Sequence, residues 1–233
     1  MKAILTILLV AMLASSAPAA ETRPVVVELF TSQSCSSCPP ADALLGELAK
    51  RGDIVALGFH VTYWDGAAWR DPFARAESTE RQAAYDKRLT GGQVYTPQMI
   101  IEGTDDAVGS DRGAVFAALD KTKPVAVAPV SFAADRHSVA IGAGTMPGIA
   151  PAGASVLLAR YALTRTTHVG GGENTSRTLI DTNGVEALAT LGAWDGKPVS
   201  FPIEPPGEGE GLAVLVQASD GRIFGAAATR PPG

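Results

Sequence analysis

The chain of 233 residues contains two cysteines, Cys35 and Cys38, and their C-x-x-C spacing falls between two opposed hydrophobic patterns. Before it, Val25-Val26-Val27-Glu28-Leu29-Phe30 is the apolar, β-branched run of a buried strand. After it, Ala41, Leu44, Leu45 and Leu48 recur at i, i+3, i+4 and i+7, which is one face of a helix. A C-x-x-C at a strand-to-helix turn near the start of a βαβ pattern is a redox arrangement. The free N–H groups and partial positive charge of a helix N-terminus stabilise a thiolate there. Cys35 is then the expected exposed nucleophile and Cys38 the thiol that resolves the mixed disulfide. A zinc half-site would need further ligands, and the chain has three histidines and no other cysteine. A static disulfide would close a very short loop and restrain the unfolded chain little. Both alternatives stay open at this stage.

The pattern continues from Pro24 to Lys123 as an α/β unit. Ile54 to Val61 is a second apolar strand, and Asp71-Pro72 has the form of an N-cap and first helical residue for a helix towards Leu89. Gln98 to Glu102 and Ala107-Val108 are the next strands, and Ser110 or Asp111 caps a last helix carrying Val115, Ala118 and Leu119. Strand, helix, strand, helix, strand, strand, helix predicts a mixed sheet with flanking helices. From Pro124 the chain becomes β-rich. Val125–Ala134, His137–Ala143, Ser155–Thr164 and Leu212–Ala218 read as strands, the last pairing with Ile223–Ala228 across Asp220-Gly221. Only Val185–Leu191 has helical spacing. Gly and Pro turns between such strands predict an antiparallel sandwich or barrel. The expected organisation is a leader over 1–20, an α/β domain over 21–123 with a helical insertion at about 63–90, and a β-rich domain over 124–233.

Met1-Lys2, the apolar stretch Ala3–Ala14 and the small residues Ser15–Ala20 form a secretory signal peptide, with the cut expected after Ala19. The mature chain is expected to be periplasmic or secreted, without a stable membrane anchor, where a cysteine pair persists as a disulfide. A net charge of −5 provides no attraction to phosphate backbones, so no nucleic-acid partner is expected. No organic cofactor is expected either.

A second feature agrees with the cysteine motif: Thr96-Pro97 stands immediately before the Gln98 strand. Cys35-Ser36-Ser37-Cys38, the later Thr96-Pro97 ahead of Met99-Ile100-Ile101, then Gly103 and a closing helix, together resemble the thioredoxin superfamily. That resemblance implies a cis Pro97 facing the C-x-x-C and Thr96 as the substrate-pairing residue. Leu29 through Asp42, Phe59-His60-Val61-Thr62-Tyr63-Trp64-Asp65, Tyr95-Thr96-Pro97-Gln98 and Gly172-Glu173-Asn174 also resemble a secreted bacterial family, domain of unknown function 1223. The likeness covers nearly the whole mature chain, and the family brings no established reaction. The sequence departs from ordinary thioredoxins: Ser-Ser separates the cysteines, and Pro39-Pro40 follows Cys38. Two prolines suit a first helical turn, which starts the helix near Pro39 and leaves Cys35 in a loop.

The remaining candidates surround this motif. His60 ends the second strand beside Tyr63, Trp64 and Asp65, and is read as a modulator of the thiolate, a proton relay, a copper ligand or a buried core histidine. Asp65 is a base for Cys38 or a turn cap, and Trp64, Trp69 and Phe73 line an apolar groove or cap the core. Tyr63–Arg88 is long enough to be an inserted lid. His168, Glu173, Asn174 and Arg177 gather around Gly170-Gly171-Gly172, which lacks phosphate-loop spacing and reads as a solvated hairpin loop. No paired carboxylates tied to a cleft are evident. The leading expectation is an exported thiol–disulfide oxidoreductase exchanging disulfides with protein thiols or disulfides, a redox partner protein among them. The alternatives are a Cu(I) chaperone using Cys35, Cys38 and His60, or a non-catalytic binding module with a static disulfide.

Overall fold

Val25–Thr31 forms β1, and all seven of its residues are buried, so this strand is covered on both faces. The computed structural model describes residues 23–122, 124, 127–145 and 153–229; the expected signal peptide and its cut after Ala19 lie outside them, as do Val125 and Ala126. Alternation along β1 divides the core. Val26 and Phe30 face one cluster with Val55, Leu57, Phe59 and Tyr85. Val25, Val27 and Leu29 face the other, with Ala41, Leu44, Leu45 and Leu48.

The first half follows the expected order: α1 Pro39–Leu48, β2 Ile54–His60, α2 Ala76–Leu89, β3 Gln98–Ile101, β4 Asp105–Val108 and α3 Arg112–Lys121. β2 runs parallel to β1, whereas β3 is antiparallel to β1 and β4 to β3. Asp111 is the N-cap of α3, its carboxylate accepting from the Ala114 N–H at 3.0 Å. One start is displaced. The helix expected from Asp71-Pro72 begins at Ala76: Asp71 Oδ1 accepts from Phe73 N–H as a cap does, but a single turn forms, closed by Ala74 N–H on the Asp71 carbonyl, and Oδ2 accepts from Gln33 N–H.

The second half contributes β5 Val130–Phe132, β6 Ser138–Ile141, β7 Ala154–His168, β8 Thr178–Trp194, β9 Val199–Pro202, β10 Glu210–Gln217 and β11 Ile223–Ala228. Its long strands extend the first sheet into an eight-stranded mixed sheet, ordered β11-β10-β7-β8-β2-β1-β3-β4, beside a three-stranded sheet, β5-β6-β9. The small sheet packs on the large one through Val139 and Ile141 against Val156, Leu212, Val214 and Val216. No closed barrel occurs among the described residues. The halves meet where Gly58 of β2 pairs with Gly184 of β8, and Asn183 Nδ2 donates to the Ala56 carbonyl at 2.9 Å. A side chain on Gly58 would stand 3.3 Å from the Thr182 carbonyl oxygen, so its absence permits this approach.

Val185–Leu191 is strand, not helix. It lies within the 17 residues of β8. Register shifts against β7 leave Glu186 and Leu191 unpaired. An extra residue in a strand reverses its side-chain alternation. Val185 and Leu188, three apart, therefore pack on the same cluster, which gives a strand helical spacing.

Candidate functional site

The site is built on the turn between β1 and α1. Cys35 and Cys38 are joined by a disulfide, with Cα atoms 5.4 Å apart. Cys38 is the N-cap of α1, and Pro39 and Pro40 fill its first turn. The helix therefore starts where the prolines allow, and Cys35 sits in the preceding loop as expected. Two of the amides that normally donate at a helix N-terminus do not exist here, since proline has no N–H. The Ser37 hydroxyl lies 3.4 Å from the Cys35 sulfur.

The expected exposure of Cys35 is not found: both cysteines are 0% exposed, whereas Ser36 and Ser37 face solvent. The reason is a clamp from the second half of the chain. The loop 169–177 joins β7 to β8, and it is tied at its base by the Val169 N–H to the Arg177 carbonyl at 2.9 Å. Asn174, fully buried, donates through Nδ2 to the carbonyls of Gln33 and Cys35, each at 2.9 Å. Its Oδ1 accepts from Arg177 Nη1 at 2.8 Å, so every polar atom of this amide is used. Glu173 Oε2 accepts from the Ser36 N–H at 3.0 Å. The glycine run lies in a hairpin loop with Gly170, Gly172 and Glu173 exposed, as expected, but one side of it docks on the chain. A side chain on Gly171 would sit 1.9 Å from the Ala68 carbonyl oxygen, and one on Gly170 would sit 3.2 Å from the Trp69 ring. The loop thus lies flat on the stretch that follows β2, and only glycine fits. His168 is exposed at the end of β7.

Beneath the turn lies a charged cluster that the sequence did not reveal. His60, 2% exposed, places Nδ1 2.7 Å from Asp71 Oδ2 and Nε2 3.7 Å from Asp181 Oδ1. Gln33 links both carboxylates to the cysteine turn, its N–H donating to Asp71 and its Nε2 to Asp181, each at 2.8 Å. Burial alone would lower the His60 pKa, but the hydrogen bond and charge of Asp71, with Asp181 and Asp42, push it to about 9. Asp71 is held below the usual carboxylate range, its burial outweighed by His60 and by the Gln33 and Phe73 amides. Burial raises Asp181 against the pull of His60 and Gln33. Asp42, which accepts from Thr31 Oγ1 at 2.8 Å, is pushed up to about 7 by burial. Its amide donates to the Cys38 carbonyl, which places the two residues one turn apart on α1.

The other candidates fall into place. With Asp71 and Asp181 on its two ring nitrogens, His60 is not presented to the cysteines as a copper ligand, and no metal-holding cluster occurs among the described residues. Asp65 is a turn cap, accepting from the Asp71 N–H at 3.0 Å. Trp64 donates from Nε1 to Thr96 Oγ1 at 2.6 Å. The Thr96–Pro97 bond is cis, as the resemblance implied, and Pro97 is buried. Phe73 packs edge-on against the His60 ring. The residues missed were Gln33, Asp42, Asp71 and Asp181, and Asn174 was read only as part of a solvated loop. Gln33, Asp42 and Asn174 stand in the quoted motifs, but nothing in one dimension joins them.

Fold and site together define an α/β protein whose single disulfide, at a strand-to-helix turn, is clamped by a hairpin loop from the far half of the chain. The chain belongs to the family described as protein of unknown function (DUF1223), whose model matches residues 26–217. It is similar to the crystal structure of a protein from Agrobacterium tumefaciens, at 33% identity and a TM-score of 0.70, over 92% of this chain and 100% of that one. HBP35 of Porphyromonas gingivalis shares the fold at 15% identity and a TM-score of 0.54, over 89% of this chain and 75% of that one. None of the curated proteins matches the chain.

Proposed function

We propose that this protein is a thioredoxin-like thiol–disulfide oxidoreductase that works outside the cytoplasm on protein thiols. The observation that carries the reading is the Cys35–Cys38 disulfide at the β1–α1 turn, on an edge of the core that also holds Thr96-Pro97 at the start of β3. The order β2-β1-β3-β4, with α1 following β1, supports it. So does the leader-like first twenty residues.

In the reduced form, the Cys35 thiolate attacks a substrate disulfide. One S–S bond breaks, a mixed disulfide forms, and the first substrate sulfur leaves as thiolate. Cys38 then attacks the Cys35 sulfur, restoring the Cys35–Cys38 bond and releasing the second sulfur. Two electrons pass from the cysteine pair to the substrate. In this mechanism Asp42, one turn along α1 from Cys38, accepts the Cys38 proton. Thr96 and Trp64 line the approach, and His60 and Asp65 act through the structure around the turn.

Reduction of insulin disulfides tests the reading. Wild type should be active and Cys35→Ser inactive; equal turnover by both would falsify it. A second reading, a static disulfide in a binding module, is favoured by the complete burial of both cysteines. The reduction potential separates the two: a value between about −120 and −270 mV is that of an exchanging pair, and one below about −300 mV is that of a structural disulfide.

A further inference from the structure

The Gly172-Glu173-Asn174 motif lies 137 residues from Ser36 in sequence, yet its carboxylate ends on the Ser36 amide. Asn174 accounts for the clamp, since it is buried and saturated. Glu173 is different: it is exposed, its partner among the described residues is Ser36, and the Ser36 hydroxyl, followed by its N–H, holds the carboxyl below the usual range.

A cysteine thiolate is stabilised by backbone N–H groups that point at it and destabilised by nearby negative charge. This turn has few such donors. Pro39 and Pro40 contribute none, Cys38 N–H is bound to the Cys35 carbonyl at 3.2 Å, and Cys35 N–H to the Ser32 carbonyl at 3.1 Å, which leaves the Ser36 and Ser37 amides and the Ser37 hydroxyl, 3.4 Å from the Cys35 sulfur. Ser36 N–H is the first amide after Cys35, and it is taken by a carboxylate.

We infer, resting on the proposed redox role, that Glu173 is a positioning residue that keeps Cys35 in its thiol form: it occupies the Ser36 amide and brings a negative charge to the residue that follows Cys35. The second half of the chain thereby sets the reactivity of a cysteine in the first half. The other groups facing this turn are Cys38 beside it, Asp42 on α1, the Asp71–His60–Asp181 cluster behind Gln33, and Arg177 on Asn174. None of them is hydrogen-bonded to the Glu173 side chain.

The test reads the Cys35 thiol alone. In full-length mature protein carrying Cys38→Ser, the pH dependence of iodoacetamide alkylation and of thiolate absorbance gives the Cys35 titration midpoint. Glu173→Gln keeps an acceptor and removes the charge, so the midpoint should fall by about half a pH unit or more. Glu173→Ala frees the amide as well and should lower it further. The difference from the Glu173 protein should shrink in about 1 M salt, because the carboxylate is exposed. An unchanged midpoint overturns the inference, and so does a shift that salt leaves intact, which would report a rearranged loop. The titration uses no substrate, so it is independent of insulin reduction: an inactive wild type with a shifted midpoint refutes the redox role and leaves the Glu173 effect standing. Glu173→Asp, with the charge kept, should retain a high midpoint and guards against a variant that simply misfolds.

Discussion

The Asn174 side-chain amide donates to the carbonyl oxygen of Cys35 at 2.9 Å, joining two residues 139 positions apart in the chain. Because the same nitrogen also holds the Gln33 carbonyl, this one residue fastens the hairpin loop to the cysteine turn. The disulfide is therefore a feature of the whole chain and not of the β1–α1 unit alone.

Asn174→Ala should leave the buried Gln33 carbonyl without its partner and the Cys35 carbonyl with only the Cys38 N–H, at a cost of about 1–3 kcal/mol. Urea unfolding measures this cost. The same variant should reduce faster with dithiothreitol, because the loop no longer closes on the turn. A variant as stable as wild type, with the same reduction rate, would show that the clamp is incidental.

Gly171→Ala places a methyl group 1.9 Å from the Ala68 carbonyl oxygen. Backbone must move, so a loss of about 1–3 kcal/mol is expected, as for other overpacked sites. Gly66→Ala is the control, since nothing lies within 4 Å of its added carbon. Thermal unfolding of the pair should separate them clearly.

His60 contributes a pH dependence of known sign. Its folded pKa, about 9, lies above its ordinary value of 6.5. The stabilisation is therefore complete below pH 6.5 and is lost as pH rises through about 9. Wild type should lose stability across that window, and His60→Gln should flatten the loss. Urea titrations at closely spaced pH values check it, and an equal slope in both proteins would refute the assignment.

Asp42 acts in the same direction at lower pH. Its folded pKa, about 7, exceeds the ordinary 3.8, so the folded state holds this proton more tightly than the unfolded one. Its contribution to stability is greatest below pH 3.8 and falls as pH rises to about 7. Comparison with Asp42→Asn isolates it, since the difference in stability between the two proteins should move against wild type across that span. Infrared absorption of the carboxyl gives an independent midpoint.

Local pattern was enough for a good deal of this. The order of strands and helices in the first half, the start of α1 at Pro39 and the Asp111 cap followed from periodicity, from proline's fixed φ and missing N–H, and from the chemistry of caps, all of which act over a few residues. The adjacency of Cys35 and Cys38 was equally local. Where β8 carries bulges, local spacing misled, because an unpaired residue is defined only by the strand opposite. Asp71 caps only one turn, through Phe73 N–H, and its other oxygen is held by Gln33 and His60, which come from other elements. The burial of Cys35, the carboxylates around His60 and the meeting of Glu173 with Ser36 depend on long-range closure. Closure was decided by the joining of β8 to β2 at Gly58 and Gly184, which brings the loop 169–177 over the turn. A sequence lists its charges and glycines, but burial and the approach of one backbone to another exist only once the chain is folded in three dimensions.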